Sequence, residues 1–191
     1  MLKTPPAPRI LGIDPGTATV GYGVLDCLGH DSFSCAATGI IHTPSGVPMG
    51  DRLKMIRTDV ISLIKEYAPD LVALEAIFFF KNAKTLVPVA QARGVILEAA
   101  STMGLPTFEY TPMQVKLQLT GFGRADKRLV QLTLQKLMGH DSIIKPDDAA
   151  DALALAICHA RMQLTRLAPE PRHQSAPSLA LGDRIEILRD E

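Results

Sequence analysis

Tryptophan is absent from this 191-residue chain and aromatic residues make up only 5% of it, so any core must be mostly aliphatic. No apolar run approaches the ~18–20 residues of a membrane span. The start, Met1 to Pro8, holds three prolines and no apolar stretch of the kind a secretory signal carries. Cysteine is scarce, and Cys27, Cys35 and Cys158 have neither metal-ligand nor disulfide-framework spacing. These absences point to a reduced, cytoplasmic protein with no membrane partner. Excess charge of either sign is also missing: 20 basic residues face 20 acidic ones. What is present is ordinary. Apolar residues at 47% and charged residues at 21% suit one globular domain with a tail to spare, and the length is short for two domains.

The neutral total hides an uneven distribution. Between Lys81 and Lys136 stand eight basic residues (Lys81, Lys84, Arg93, Lys116, Arg124, Lys127, Arg128 and Lys136) against Glu98, Glu109 and Asp126, an excess of +5. From Pro169 to Glu191 the balance is three basic against five acidic, or −2. The basic middle suits contact with phosphates, or else a set of ordinary solvated helix faces.

Arg9 to Asp14 is a short apolar run ending in a carboxylate and a Pro-Gly turn. Val20 to Cys27 alternates, with Val20, Tyr22 and Val24 on one face and Gly21 and Gly23 opposite. This predicts a strand hairpin-paired to the first, with something packed closely on its glycines. A third strand falls within Ser32 to His42. Helical spacing then runs from Pro48 to Tyr67 and stops at Pro69. Leu71 to Phe80 is continuously apolar and reads as a central strand. A helix over about Leu86 to Met103 places Pro88 in its first turn, where proline is tolerated. Pro106 to Tyr110 reads as a fifth strand, followed by a helical piece over Gln114 to Leu119. Gly121 to Gly123 forms a loop, and Asp126 caps a helix running to about Met138. A last helix runs from near Pro146 to about Leu167. The expected organisation is an N-terminal extension over 1–8, an α/β domain over 9–167 and a loosely ordered tail over 168–191. The sheet is five-stranded and mixed, its first three strands antiparallel, with helices on both faces.

Four carboxylates stand in apolar company. Asp14 closes the first strand, and Glu75 lies inside the Leu71–Phe80 run. A carboxylate in a dry interior costs several kcal/mol unless it is paired, protonated or metal-bound. Between Glu66 and Phe80 no basic residue is at hand, so Glu75 sits at an exposed strand end, reaches a distant Arg, or binds a metal. Asp148 and Asp151 are three apart and share a helix face, followed only by Ala, Leu and Ile. Asp147 and Asp148 would suit a helix N-terminus; Asp151, a turn further in, is harder to explain so. Were all four to converge, they could not all stay ionised without cations. Oxygen donors with no His or Cys favour Mg²⁺ or Mn²⁺, and two such ions support in-line phosphodiester hydrolysis.

The segments LGIDPGT-x₃-GYGV, LEAIFFFKNAKT, QARGVILEAA, GFGRADK and DDAADALALA resemble the Holliday-junction resolvase family RuvC, of the ribonuclease H-like superfamily, over residues 9 to 160. The resemblance implies a Mg²⁺-dependent homodimeric endonuclease with two ions per site. It would make paired symmetric nicks in four-way junction DNA, leaving 5′-phosphate and 3′-hydroxyl ends. The family's catalytic acids fall on Asp14, Glu75, Asp148 and Asp151, with Asp14 bridging both metals; Asp147 matches no catalytic position and reads as a cap. Phe78 matches an aromatic that stacks on a base, and Lys116 and Lys127 match basic positions that contact DNA or assist the site. Lys81, Lys84, Arg93, Arg124 and Arg128 are further phosphate-contact candidates. The helix after the central strand forms the dimer interface in such enzymes, although its apolar residues also suit a core. The family also works beside the RuvA–RuvB branch-migration motor. Ala76 and Ala90 depart from the family pattern without touching a metal ligand. The Asp14-Pro15-Gly16 turn is shared with sugar-kinase, actin and Hsp70-like ATPases, but those need a second domain and a second phosphate loop, and Gly182-Asp183-Arg184 is not one.

Overall fold

In a computed structural model of the chain, residues 8–29, 31–76 and 83–166 are described, the side chains of 83–85 and 164–166 excepted. Strand β1 (Arg9–Asp14) is buried through its middle, and β2 (Thr19–Gly29) pairs with it antiparallel from Arg9↔Asp26 to Asp14↔Gly21. β3 (Ser32–His42) continues the meander at the sheet edge. Helix α1 (Met49–Tyr67) buries Ile56, Val60 and Ile64 at helical spacing and ends on Ala68, whose left-handed φ of 45° precedes Pro69. The crossover returns to β4 (Leu71–Glu75), parallel to β1, and α2 (Ala83–Thr102) leads to β5 (Thr107–Tyr110), parallel to β4. The sheet order is β3-β2-β1-β4-β5. The predicted mixed sheet is therefore the observed one.

β4 runs to Glu75, where its ladder with the four-residue β5 closes; the remainder of the expected strand, 77–80, lies outside the described residues. The ladder closes on Glu75↔Tyr110 and the Ala76 N–H to Tyr110 carbonyl bond, 2.9 Å. Glu75 is thus at the strand's end, the position that one of the sequence alternatives gave it. α2 begins at Ala83, which moves Pro88 into the second turn rather than the first. The missing proline N–H leaves one carbonyl of the first turn without its helical partner, a local cost near the helix start.

Helices cover both faces. On one, α1 and α2 enclose Leu11, Ile13, Val20, Val24, Val72 and Leu74. Ala92, Ile96, Ala99 and Ala100 of α2 belong to this core, so that much of the helix's apolar content is spoken for within one chain. On the other face lie α3 (Pro112–Thr120), α4 (Lys127–Met138) and α5 (Asp147–Arg166), with Ile10, Leu25 and Ala73 beneath them. Helix α3 is fixed by a reciprocal capping box: Thr111 accepts from the Gln114 N–H while the Gln114 side chain accepts from the Thr111 N–H. The Thr-Pro-x-Gln spacing is its signature, and it starts the helix at Pro112, two residues before the sequence expectation. Asp126 caps α4 as predicted, accepting from the Leu129 N–H at 2.7 Å.

Helix α5 lies almost on the backbone of the sheet. A Cβ at Gly12 would fall on the Ala152 carbonyl oxygen, one at Gly21 on that of Asp148, and one at Gly23 would come within 2.9 Å of Leu153 Cβ. Thr38 of β3 adds a hydroxyl directed at the Ala149 carbonyl, 3.3 Å away. This is the close packing the glycines of β2 predict. No described helix is long and apolar enough to cross a membrane. The three cysteines are free, and burial pushes the thiols of Cys27 and Cys158 up to about 11 and about 12. The expectations for the two chain ends fall almost wholly outside the described residues.

Candidate active site

Parallel pairing sets the first two acids side by side. β1 and β4 run in register from Ile10↔Leu71 to Ile13↔Leu74, so Asp14 and Glu75 follow the last pair at the same sheet edge. Strand alternation turns both toward the α5 side, the face that holds Gly12 and Ala73. Helix α5 brings the other two. Its first turn rests on Gly21, the residue opposite Asp14 in the β1–β2 register, and the contact is made by the backbone of Asp148 itself. Asp151 follows one turn later and lines, with Asp14 and Glu75, a cleft of about 320 Å³. Pro112, Val115 and Val130 form an apolar wall to this cleft, and Lys116 and Lys127 stand at its border.

The electrostatics follow from that convergence. Burial, and then the negative charges of Glu75, Asp151 and Asp148, push the Asp14 carboxyl up to about 8; it also shares a hydrogen bond with Glu75. Burial raises Asp151 too, against the opposing pull of Lys127, whose Nζ is 3.6 Å away. Lys127 sits closer to Asp147, at 3.0 Å, and this contact raises the ammonium's pKa. Asp147 also receives Lys145 Nζ at 2.7 Å and Gln131 Nε2 at 3.1 Å, and the two lysines hold it down at about 2. Asp147 is therefore an anchor for lysines, where the sequence suggested a helix cap. Lys127 stands twenty positions before Asp147 in the chain, so no local pattern announces that link.

Among the described residues no three acidic, His or Cys side chains are yet drawn tightly enough together to ligate an ion. The donor chemistry nevertheless fits a divalent cation. Asp14 keeps its proton far above the usual carboxylate range because burial, and then the neighbouring acids, disfavour its charge, and a doubly charged ion would offset both. Every donor is a hard oxygen, the donor type that suits hard divalent cations. Asp14, Glu75, Asp148 and Asp151 would hold them. A larger hollow, about 670 Å³, lies between α2 and β5, lined by Leu86, Val87 and Ala90. Its two charged lining residues, Arg93 and Glu109, are paired with each other, so it offers no comparable chemistry.

The predicted DNA contacts separate into groups. Lys116 is half-buried at the cleft, while Arg124, Lys127 and Arg128 are exposed where α4 begins. The Arg93 side chain is 17% exposed and its guanidinium meets Glu109 at 2.5 Å, tying α2 to β5. Phe78 and Lys81 lie outside the described residues, as does the side chain of Lys84. Gly121 and Gly123 differ in purpose. Gly121 closes α3 in the left-handed region at φ 76°, and a Cβ at Gly123 would come within 3.0 Å of Met113 Cγ.

Comparison with known proteins agrees with this geometry. The family model described as crossover junction endodeoxyribonuclease RuvC matches residues 10–159. A protein of that name from Syntrophomonas wolfei is 49% identical over 151 residues, covering 79% of this chain and 87% of that protein. One from Desulfitobacterium hafniense is 50% identical over the same length, covering 79% and 91%. The structure of Thermus thermophilus RuvC in complex with Holliday junction substrate superposes with a TM-score of 0.80 at 32% identity, covering 83% of this chain and 96% of that one.

Proposed function

We propose, from the premise that the chain belongs to the RuvC family of crossover junction endodeoxyribonucleases, that it resolves four-way DNA junctions by paired symmetric nicks, using two Mg²⁺ ions per site and leaving 5′-phosphate and 3′-hydroxyl ends. The observation that supports this reading is the placing of Asp14 among Glu75, Asp148 and Asp151 on the face that α5 covers. When bound, the ions would activate a water and stabilise the leaving oxygen of an in-line displacement. The chain's own contribution is positional. Asp14 and Glu75 are fixed by parallel register, and Asp148 and Asp151 by the helix whose backbone contacts Gly21, so all four donors come from rigid elements. Asp14, between the others, is the donor suited to serve both ions. Lys116 and Lys127 supply positive charge at the cleft for the scissile phosphate, and the wall of Pro112, Val115 and Val130 limits water there. A twofold-symmetric junction cut on two strands calls for two identical sites, which a homodimer presents. Partnership with the RuvA–RuvB motor and a cytoplasmic setting complete the proposal by family membership alone.

The test is a synthetic four-way junction with Mg²⁺, cut products mapped to the nucleotide on all strands, beside a linear duplex of the same sequence. Symmetric nicks confined to the junction are expected; equal cutting of the linear duplex would remove the proposal. Mn²⁺ should support the same cuts.

Asp147 offers a finer check. Asp147→Asn removes the nearer of Lys127's two carboxylates and leaves its ammonium to Asp151. Exposed ion pairs are worth about 1 kcal/mol or less, so the fold should hold. The Mg²⁺ concentration for half-maximal nicking should rise several-fold at unchanged saturating rate, since Lys127 now competes for a metal ligand. A metal titration reads this directly, and an unchanged midpoint would count against it.

A further inference from the structure

One exposed aromatic near the cleft has no role in the site described above. Phe122 is 57% exposed, although the backbone that carries it is held firmly. Its N–H donates to the Thr120 hydroxyl at 3.1 Å, and its carbonyl accepts from the Ala125 N–H at 3.0 Å. The Thr120 hydroxyl in turn lies 2.8 Å from the Lys116 carbonyl, and Gly121 closes α3 with a left-handed turn. On the other side, a Cβ at Gly123 would meet the Met113 side chain. A large apolar ring is thus presented to solvent on an anchored backbone, forgoing the burial that stabilises most Phe side chains. Met113 and Leu117, on the α3 surface beneath the loop, are also exposed at 63% and 48%.

The surroundings identify what would cover this ring. Arg124, Lys127 and Arg128 follow it within six residues and are exposed, while Asp126 is engaged as the α4 cap. Lys116 and Lys127 also border the carboxylate cleft, and the Phe122 backbone is tied through the Thr120 hydroxyl to the Lys116 carbonyl. An apolar protein partner would be met by an unbalanced cluster of positive charge. A nucleic-acid strand satisfies both components, its phosphates meeting the cations and a base face meeting the ring.

We propose that Phe122 is a DNA-positioning residue whose ring stacks on a nucleobase of the strand entering the Asp14–Glu75–Asp151 cleft. The inference rests on the resolvase reading and assigns to the α3–α4 loop a part in holding the strand beside the acids. A ring preset by its backbone loses little freedom on binding, which is the economy that preorganisation gives.

Fluorescence of 2-aminopurine, placed in turn at each position around the cut in a synthetic four-way junction, reads stacking directly. Binding is measured without divalent ion and nicking with Mg²⁺, on full-length protein. Wild type should quench the probe at one or two positions. Phe122→Ala should abolish that quenching and weaken junction binding by about 5- to 150-fold, the range for loss of one stacked base, without changing the salt dependence, since no phosphate contact is lost. Its melting temperature should match wild type because the ring is exposed. Phe122→Tyr should restore both readouts and Phe122→Leu neither; should the Ala variant unfold, this pair carries the test. The proposal is overturned if Phe122→Ala binds within twofold of wild type, or if Leu restores quenching as fully as Tyr. Failure of wild type itself to nick the junction would instead overturn the resolvase reading.

Discussion

Asp14→Asn is expected to abolish junction nicking, by about a thousandfold or more, and to stabilise the metal-free protein at pH 8. The first effect follows from losing the carboxylate between the other donors, since metal stabilisation of the transition state is worth several kcal/mol and each ~1.4 kcal/mol is a factor of ten. Junction binding should persist, because it rests on cations and strand shape rather than on the metal ligands. The second effect comes from the buried charge. Asp14 titrates near the ordinary value of 3.8 in the unfolded chain and at about 8 in the folded one. A group raised on folding contributes stability that is present below its unfolded pKa and lost as pH rises through the folded one. Metal-free wild type should therefore lose stability progressively between about pH 4 and pH 8, by up to ~1.4 kcal/mol per pH unit across that window. The asparagine variant has no such proton to lose. Its melting temperature should exceed wild type by roughly 10–20 °C at pH 8, with the gap closing toward pH 4. Adding Mg²⁺ should raise the wild-type melting temperature and move the variant much less. Thermal scans of both proteins at the two pH values, with and without metal, would decide the matter. Equal melting temperatures throughout would show that Asp14 is not under the strain described.

Gly21→Ala should be the most damaging single methyl group in the molecule. The new Cβ would land on the Asp148 carbonyl, and the obstacle is helix backbone, which cannot step aside as a side chain can. Lifting α5 would disturb a core face that includes Leu153, Ala154 and Ile157. A cost of at least ~3 kcal/mol is expected, at the upper end for overpacking. Any protein that still folds should nick poorly, because the same displacement moves Asp148 and Asp151 away from Asp14. Gly50→Ala is the matched control. Gly50 lies inside α1 with nothing within 4 Å of its would-be Cβ, so alanine there should be neutral or stabilising by up to about 1 kcal/mol. Denaturant titration of the two variants separates them, and a Gly21→Ala protein within 1 kcal/mol of wild type would refute the close-packing account.

These two predictions mark how differently parts of the site were legible. Alternation in Val20 to Val24 disclosed a strand with one glycine face, and that face is where α5 lies. The acids were visible because each broke an apolar context, and a charge in an apolar run demands a reason. Boundaries were less legible. Leu71 to Phe80 reads as one long strand, but the ladder of β4 with the four-residue β5 closes at Glu75. Arg93 reads as one more surface cation until Glu109, sixteen residues away, is brought against it from β5.

Read alone, the chain determined the kind of fold, the strands' directions, the four acids and the family, since all of these are written in local period, composition and motif. Tertiary structure alone decided that Lys127 is shared between Asp147 and Asp151, that Arg93 is tied to Glu109, and that Phe122 is exposed on an anchored loop. Such facts depend on distances between segments remote in sequence. Those distances are set by how the elements pack on the sheet, a quantity no local pattern records.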